Sequence, residues 1–158
     1  MDLTFKTDEG VFNYRVGAII LHDKKILALK NDLTPYYFLP GGRVKLHETA
    51  ENAIRRELKE ELGIDANVLR PLWLAETYFV EDVTKEKFHE ICVYFLVDVS
   101  NTRLVDAQKF RGLETKHNEV FEWLNTATLK EEYFYPLFIK TSIDNLPDKL
   151  EIHTEYEY

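Results

Sequence analysis

The amino-acid sequence predicts an α/β fold in which helices pack on a mixed β-sheet. Apolar, strand-like segments flank one strongly amphipathic segment, and the order strand, strand, helix, strands, helix is typical of this class. The chain has 158 residues, 45% of them hydrophobic, and contains no repeat, linker or low-complexity tract. A chain of this length and composition can bury the core of one domain, so we predict a single domain over residues 1–158.

The first half of the chain is predicted to contain two paired strands, a short third strand and a helix. Residues 14–30, "YRVGAIILHDKKILALK", have the pattern of two strands joined at "HDKK", and the first arm is almost continuously apolar. The segment "PYYFLPGG" at 35–42 is predicted to be a short strand that runs into a proline–glycine turn. Residues 49–62 are predicted to be helical, with Gly63 just past the end.

Two long strands and one short strand are predicted in the second half. Residues 68–82 and 88–98 have the composition of strands, and the charged stretch "VTKEK" connects them. A polar loop follows over residues 99–118, and "EVFEWL" at 119–124 is then expected to be a short strand. These strands would complete the mixed sheet.

The C-terminal part is predicted to contain a second helical region and an edge strand. Residues 126–143 are assigned to the helical region, with Pro136 near the start of its last helix. In "LEIHTEYEY" at 150–158, apolar and polar residues alternate, as in a strand at the edge of a sheet. A frayed tail explains this last pattern nearly as well.

Composition and charge argue against several classes of protein. The net charge is −8 and no basic patch stands out, so we expect no long nucleic acid as a partner. No apolar run approaches the roughly 20 residues of a membrane span, and no signal peptide is recognisable. Because Cys92 is the single cysteine, it cannot form an internal disulfide, and we expect a cytoplasmic protein.

The predicted helix concentrates acidic residues at the edge of its apolar face. On a helical wheel at about 100° per residue, Glu57 and Glu61 fall inside or beside the apolar arc, and Glu60 lies slightly further round. Lys59 and Arg55 take the solvent side. The apolar arc, which would face the sheet, consists of Ala50, Ile54, Leu58 and Leu62.

This placement of the glutamates is unfavourable for an isolated helix. Like charges three or four residues apart cost about 0.2–0.5 kcal/mol per pair, and acids near the C-terminal end oppose the helix dipole. A hard divalent cation such as Mg²⁺ would reverse the balance, because it prefers carboxylate oxygens. The alternative is a solvated acidic face braced by Arg55, Arg56 and Lys59; the wheel position favours a metal site.

The stretch "PGGRVKLHETAENAIRRELKEELGI" at 40–64 resembles the Nudix box. That box is a glycine, five residues, a glutamate, seven residues, Arg-Glu, an aliphatic residue, any residue, Glu-Glu, any residue, a glycine and an aliphatic residue. Every fixed position and spacing is matched, which is a specific signal in so short a segment. The matching residues are Gly42, Glu48, Arg56, Glu57, Leu58, Glu60, Glu61, Gly63 and Ile64.

The resemblance implies a Nudix-type α/β/α sandwich with a mixed β-sheet and a single Nudix hydrolase domain. Such enzymes cleave a phosphoanhydride bond of a nucleoside diphosphate linked to another group, X, with water as the nucleophile and Mg²⁺ or Mn²⁺ as the cofactor. By position in the box, Glu57, Glu60 and Glu61 are implied as metal ligands. The backbone carbonyl of Gly41 is implied as a further ligand.

The remaining catalytic roles are also implied by the resemblance. Arg56 would orient the glutamates with Glu48 as its partner, since arginine can bind carboxylates through two parallel hydrogen bonds. Glu60 or Glu61 could be the general base. In this family the base can also come from a later loop, and Glu119 is our first choice there, ahead of two other loop candidates, Glu114 and Glu122.

Two arginines and a tyrosine are our candidates for binding the rest of the substrate. Arg43 directly follows the glycines and could contact phosphates, as could Arg15, for which a solvated or paired role is an equal alternative. Tyr37 could stack on a base, although packing also explains an aromatic residue there. The same alternatives hold for the other candidates Lys30, Tyr36, Phe38 and Trp73.

Three functions are consistent with the box. We favour hydrolysis of a small nucleotide, a nucleoside triphosphate or a derivative, because the chain is short and carries no additional domain. The alternatives are a catalytically silent Nudix-fold module that binds a ligand or regulates, and an RNA 5′-end pyrophosphohydrolase, against which the acidic charge counts. The expected partner is a small-molecule nucleotide, with no membrane, and a homodimer could form through the C-terminal strand.

Overall fold

The computed structural model describes residues 1–158 and consists of nine strands, two α-helices and two 3₁₀ segments. The strands are β1 (Thr4–Thr7), β2 (Gly10–His22), β3 (Lys25–Lys30), β4 (Gly41–Arg43), β5 (Asn67–Val80), β6 (Lys87–Asp98), β7 (Lys109–Arg111), β8 (Val120–Asn125) and β9 (Glu151–Tyr156). The helices are α1 (Ala50–Leu62) and α2 (Ile139–Ser142), and the 3₁₀ segments are Arg103–Asp106 and Thr126–Glu131. No helix has the length and apolar character needed to cross a bilayer.

Strand β2 is the centre of the sheet. The strand order is β7-β8-β3-β2-β6-β5-β9, and β1 and β4 also pair with β2. β2 runs parallel to β6, and β5 runs parallel to β9, whereas the other pairs are antiparallel. The sheet is therefore mixed, as predicted.

Two apolar clusters lie on opposite faces of this sheet. Side chains alternate along β2, so Val16 and Ile20 belong to the cluster under α1, while Ile19 belongs to the other. The second cluster contains Ile139 of α2 and also Trp73, which therefore packs in the core. Helical segments on both faces confirm the predicted α/β/α sandwich.

Helix α1 forms where the sequence predicts it. The Thr49 hydroxyl caps the N-terminus by accepting a hydrogen bond from the Asn52 N–H (3.1 Å), and Gly63 ends the helix at φ 69°. Ile54 and Leu58 are fully buried, and removing each such side chain from water is worth about 1.5–3 kcal/mol. α1 contacts β2 and β4, which positions its acidic edge beside the glycine turn.

The prediction of a helical region over 126–143 is confirmed at both ends of that segment and is wrong for its middle. Only the 3₁₀ segment Thr126–Glu131 and the four-residue α2 are helical. Between them, Phe134 forms an isolated bridge with Tyr37, and Tyr135 precedes a proline. The residue before proline is disfavoured in helical backbone space, and aromatic residues suit an extended segment packed on a sheet.

The short strands differ from the prediction in two ways: one predicted strand is mostly isolated bridges, and two observed strands were not predicted. In "PYYFLPGG", Tyr37 and Phe38 make only isolated bridges, and a continuous strand begins at β4. The sequence does not predict β1 or β7, because three or four residues carry too little periodicity to distinguish a strand from a loop.

Strand β9 confirms the edge-strand interpretation of the C-terminal segment. It pairs with β5 and is the last strand in the sheet order, so the frayed-tail alternative is wrong for Glu151–Tyr156. Ile152 and Tyr156 are 72% and 68% exposed. The alternating apolar residues of this strand therefore form an uncovered face instead of joining the core.

Candidate active site

The three box glutamates lie on one edge of α1 at three different depths. Glu61 is buried with 5% of its surface exposed, Glu57 is half-buried, and Glu60 is exposed. This gradient follows the predicted wheel positions, because successive residues turn about 100° around the helix axis. The acidic edge of α1 therefore runs from the core to solvent.

The Arg56 guanidinium organises this acidic edge. It donates two hydrogen bonds to Glu48, from Nε to Oε1 (2.7 Å) and from Nη2 to Oε2 (3.0 Å), and these lower the pKa of Glu48 to about 2. Nη1 donates to Oε1 of Glu57 (2.7 Å) and lies 3.5 Å from Oε2 of Glu60. One rigid fork thus contacts three carboxylates, which a lysine ammonium could not do with the same geometry.

Gly41 and Gly42 bring the backbone close to the acidic edge. Gly41 has φ 152°, and a Cβ there would lie 2.1 Å from the Val16 carbonyl oxygen. A Cβ at Gly42 would lie 2.3 Å from the carboxyl carbon of Glu57. Both positions require glycine, because a side chain would displace either β2 or the Glu57 carboxylate.

Glu119, from the loop before β8, lies among the acids of α1. Burial raises the pKa of Glu61 well above its usual range, and the charge of Glu119 raises it further. Burial also raises the pKa of Glu119, as does the charge of Glu114. The Leu113 N–H donates to the Glu61 carbonyl (2.8 Å), which holds this loop against the C-terminal end of α1.

Two buried oxygens in this cluster have no protein partner, Oε2 of Glu61 and Oε2 of Glu119. An unpaired buried carboxylate oxygen is costly, and a bound cation would remove that cost. No three acidic, histidine or cysteine side chains form a closed ligand set. The donors present fit an open site in which Mg²⁺ keeps waters and substrate phosphates among its ligands.

The other two candidates for the general base lie in different surroundings. Glu114 is exposed to solvent. Glu122 accepts a hydrogen bond from the Tyr37 hydroxyl (3.0 Å) and forms an ion pair with Lys109 (3.4 Å). Glu122 therefore has partners of its own, whereas Oε2 of Glu119 has none and the charges of Glu114 and Glu57 add to the raising of its pKa by burial.

A pocket of about 340 Å³ lies on the sheet beside this acidic edge. Its floor consists of side chains from β2, β5 and β6, and its walls come from β9, the loop after β3 and the segment before α2. The aromatic residues Tyr36, Phe79 and Tyr135 line it. A volume of this size is typical of sites for small organic ligands.

Arg15 connects the pocket with the acidic edge. It lines the pocket, and its guanidinium forms no ion pair and donates no side-chain hydrogen bond. Burial alone would lower the pKa of Arg15, but the charges of Glu90 and, more weakly, Glu61 keep it above its ordinary value. A permanent cation with free donors in this position suits phosphate oxygens.

Glu90 is a pocket residue that the sequence patterns did not identify. It lies on β6, in register with Asn13 of β2 and Thr77 of β5. Asn13 Nδ2 donates to Oε2 of Glu90 (3.4 Å), and the Thr4 hydroxyl donates to Oδ1 of Asn13 (2.6 Å). The available signal was a single acid inside the apolar strand "FHEICVYFLV", where charges are rarely buried without a purpose.

The residues predicted to bind substrate are divided between two places. Arg43 of β4 is in register with Arg15 of β2, so these two cations are neighbours. Tyr37 lies outside the pocket, and the amino group of Lys30 is 4.1 Å from its ring centroid. Its neighbour Tyr36 lines the pocket instead. A substrate contact by Tyr37 stays a prediction.

Comparison with known proteins identifies the family of this chain. The sequence profile of the NUDIX domain matches residues 11–141, a range that includes α1 and the loop of Glu119. The chain therefore belongs to the Nudix family, and the resemblance inferred from the box is confirmed.

Relatives in sequence include proteins named as pyrophosphatases and pyrophosphohydrolases. An ADP-ribose pyrophosphatase of Methanocaldococcus jannaschii is 33% identical over 117 residues, which cover 72% of this chain and 64% of that protein. An RNA pyrophosphohydrolase of Campylobacter jejuni subsp. doylei is 31% identical over 125 residues, which cover 70% of this chain and 76% of that protein. These names agree with the predicted class, a Nudix hydrolase acting on acid anhydrides.

Solved structures share the fold. The crystal structure of a MutT protein from Bacillus halodurans gives a TM-score of 0.63 at 16% identity and covers 92% of this chain and 90% of that chain. A MutT protein from Methanosarcina mazei gives a TM-score of 0.59 at 19% identity and covers 84% of this chain and 91% of that chain. At these identities the likeness concerns the fold alone.

Proposed function

We propose that the chain is a metal-dependent hydrolase that cleaves a phosphoanhydride bond in a small nucleotide, a nucleoside triphosphate or a nucleoside diphosphate derivative. The observation that carries this proposal is the acidic edge of α1, where Glu61 is buried with an unpaired oxygen near Glu119. A buried, mutually repelling set of carboxylates is unfavourable unless a cation or a proton joins it. The relatives named as pyrophosphatases support the same chemistry.

Mg²⁺, or alternatively Mn²⁺, is the cofactor that the donor set fits. The proposed ligands are the carboxylates of Glu57, Glu60 and Glu61 and the backbone carbonyl of Gly41, all of them oxygen donors. When bound, the ion would supply neutralisation of diphosphate charge and activation of water.

The chain's own residues would position the substrate and accept a proton. Water attacks phosphorus, the bond between phosphorus and the bridging oxygen breaks, and the departing phosphate keeps the electron pair. Glu119 would accept the proton of the attacking water, with Glu60 or Glu61 as the alternative base. Arg15 and Arg43 would bind phosphate oxygens.

Arg56 and Glu48 would hold the metal-binding glutamates in the correct orientation. Arg56 holds Glu57 and Glu60 from one side while Glu48 fixes the guanidinium from the other. A small displacement of a catalytic group lowers the reaction rate strongly. The Arg56–Glu48 pair would therefore affect turnover without contacting the substrate.

Replacing Glu61 by glutamine tests the proposal. Phosphate and diphosphate release is measured over a nucleotide panel with and without Mg²⁺, and the products are identified. We expect Mg²⁺-dependent turnover that falls by about 100-fold or more in E61Q, because an amide cannot replace the carboxylate charge. E51Q, at an exposed position in the first turn of α1, is the matched control.

The outcome distinguishes the proposed hydrolase from a catalytically silent Nudix-fold module. A folded E61Q variant with unchanged Mg²⁺-dependent turnover would refute the role of the acidic edge. A wild-type chain that binds nucleotides but turns over none of them would instead be a ligand-binding or regulatory module.

Hydrolysis at RNA 5′ ends is the second candidate function. The relative named as an RNA pyrophosphohydrolase, 31% identical over 125 residues, favours it. The net charge of −8 counts against a long nucleic-acid partner. A 5′-triphosphorylated oligoribonucleotide assayed beside the matched nucleoside triphosphate would decide between them through the ratio of the two kcat/KM values.

We also propose a cytoplasmic location and a homodimer formed through β9. Cys92 is a buried free thiol, which fits a reducing compartment. β9 has a free edge and carries the exposed Ile152, features that allow a second copy to pair there. Light scattering of the wild type and of I152E measures the assembly; a monomeric wild type would contradict the dimer.

A further inference from the structure

The floor of the pocket carries one carboxylate that is only partly satisfied by the protein. Oε2 of Glu90 receives the Asn13 amide at 3.4 Å, and Oε1 accepts no hydrogen bond from the chain. Arg15 lies on the same floor but does not form an ion pair with Glu90. Glu90 therefore has acceptor capacity left for a ligand.

A chain of hydrogen bonds orients this carboxylate. Asn13 is 2% exposed, and its Oδ1 accepts a hydrogen bond from the Thr4 hydroxyl (2.6 Å). Its Nδ2 is thereby turned toward Glu90 as a donor. This contact favours one orientation of the Glu90 carboxylate before any ligand arrives, which lowers the ordering cost of binding.

A carboxylate whose two oxygens both keep acceptor capacity selects for two adjacent donors. Guanine presents the N1–H and the exocyclic N2–H side by side on one edge. Adenine and cytosine present an amine beside a ring nitrogen that is an acceptor, and uracil presents one N–H between two carbonyl groups. Each of these three would turn a lone pair toward the carboxylate, and the unpaired groups would cost affinity.

The walls of the pocket favour a flat, uncharged group over a sugar or a further phosphate. Tyr36, Phe79 and Tyr135 provide aromatic surface on which a base can stack. Glu155 and Glu157 also line the pocket and would repel an anion. The phosphates of a nucleotide would therefore lie outside these walls, toward the acidic edge.

We propose that Glu90, positioned by Asn13, is the specificity-determining residue for this chain and selects guanine nucleotides. The inference rests on the proposed function, because it places the phosphates at Arg15 and the acidic edge. Glu90 contacts the base and takes no part in breaking the anhydride bond.

Equilibrium binding of GMP, IMP and AMP tests the inference without turnover, because monophosphates contain no anhydride bond. In calorimetry with Mg²⁺, we expect GMP to bind about 10-fold or more tightly than AMP. IMP, which lacks the N2 amine, should fall between them. In E90Q, which preserves shape, GMP affinity should fall about 10-fold or more, with AMP affinity changed by less than about 3-fold. E76Q, on β5 next to Thr77 and facing the opposite side, is the matched control.

The outcomes distinguish this inference from the proposed function. Equal affinity of the wild type for GMP and AMP would overturn guanine selection even if the Mg²⁺-dependent hydrolysis assay succeeds. If E90Q lost the same factor of affinity for all three monophosphates, Glu90 would contact the ribose that they share. That result would also overturn guanine selection. Absence of hydrolysis with every nucleotide, combined with a GMP preference that E90Q abolishes, would reject the hydrolase and retain the base site.

Discussion

The acidic edge of α1 and the floor of the pocket are built from the chain in different ways. The acidic edge comes from one continuous segment, residues 40–64, to which a later loop adds Glu119. The pocket draws on four strands and two further segments that are distant in sequence. Chemistry shared by a family can be encoded locally, whereas recognition of a particular substrate depends on how distant segments meet.

The two regions also differ in electrostatic balance. Burial raises the pKa of Glu61, and the charge of Glu119 raises it further. Burial also raises the pKa of Glu90, but there Arg15 and the Asn13 amide oppose the shift. Neighbouring carboxylates therefore add to the effect of burial at the acidic edge, whereas a cation and an amide partly offset it on the pocket floor.

The largest expected effect is the loss of the proposed general base. E119Q should lower kcat by about 10²- to 10⁴-fold with little change in KM, because proton transfer and substrate binding are separate tasks. Steady-state kinetics with saturating Mg²⁺ measures both constants. If E122Q lost activity and E119Q did not, the base would be Glu122 and the acidic cluster would serve the metal alone.

The next largest effect should follow from disturbing the orientation of the glutamates at the acidic edge. R56K keeps the positive charge but loses the two parallel hydrogen bonds to Glu48, so kcat should fall about 100-fold. R55K, on the exposed side of α1, is the matched control and should behave like the wild type. Wild-type turnover in R56K would show that charge alone, without the fork, holds the glutamates.

The sequence predicted the acidic edge because its determinants are short-range. The wheel position of Glu61, the cap at Thr49 and the stop at Gly63 all follow from residues within one helix. Arg56 and Glu48 were paired through the resemblance, and their contact in the structure joins the second turn of α1 to the residue just before its N-cap. These features depend on helical geometry more than on the rest of the fold.

The pocket could not be predicted in the same way. Glu90 and Asn13 are far apart in sequence and meet only because β2 and β6 pair in parallel. The segment around Tyr135 was predicted to be helical, although it is extended and supplies a wall of the pocket. Tertiary contacts overrode local propensity there, and no local pattern reports strand register.

A smaller effect should appear in acid stability. The hydrogen bonds from Arg56 lower the pKa of Glu48 to about 2 from its usual 4.5. A carboxylate with a lowered folded-state pKa stabilises the fold above pH 4.5 and loses that contribution as pH falls toward 2. After solvent screening we expect about 1–2 kcal/mol.

E48Q isolates this contribution. The variant should be less stable than the wild type at pH 7, and the difference should shrink as the pH falls from 4.5 to 2. Urea unfolding of the metal-free protein at several pH values measures it. A difference that stays constant with pH would show that the Glu48–Arg56 pair contributes through packing instead of charge.

The smallest effect should be found at the mouth of the pocket. The Tyr36 hydroxyl donates to Oε1 of Glu81 (2.7 Å), a bond that ties the loop after β3 to the β5–β6 turn. Y36F should destabilise the protein by about 0.5–1.5 kcal/mol and raise KM by at most about 3-fold, because the ring that lines the pocket is kept. Y37F removes a comparable bond, to Glu122 (3.0 Å), outside the pocket. If Y37F raised KM more than Y36F, the nucleotide would bind beside Lys30 and Glu122, and the pocket floor would lose its role in recognition.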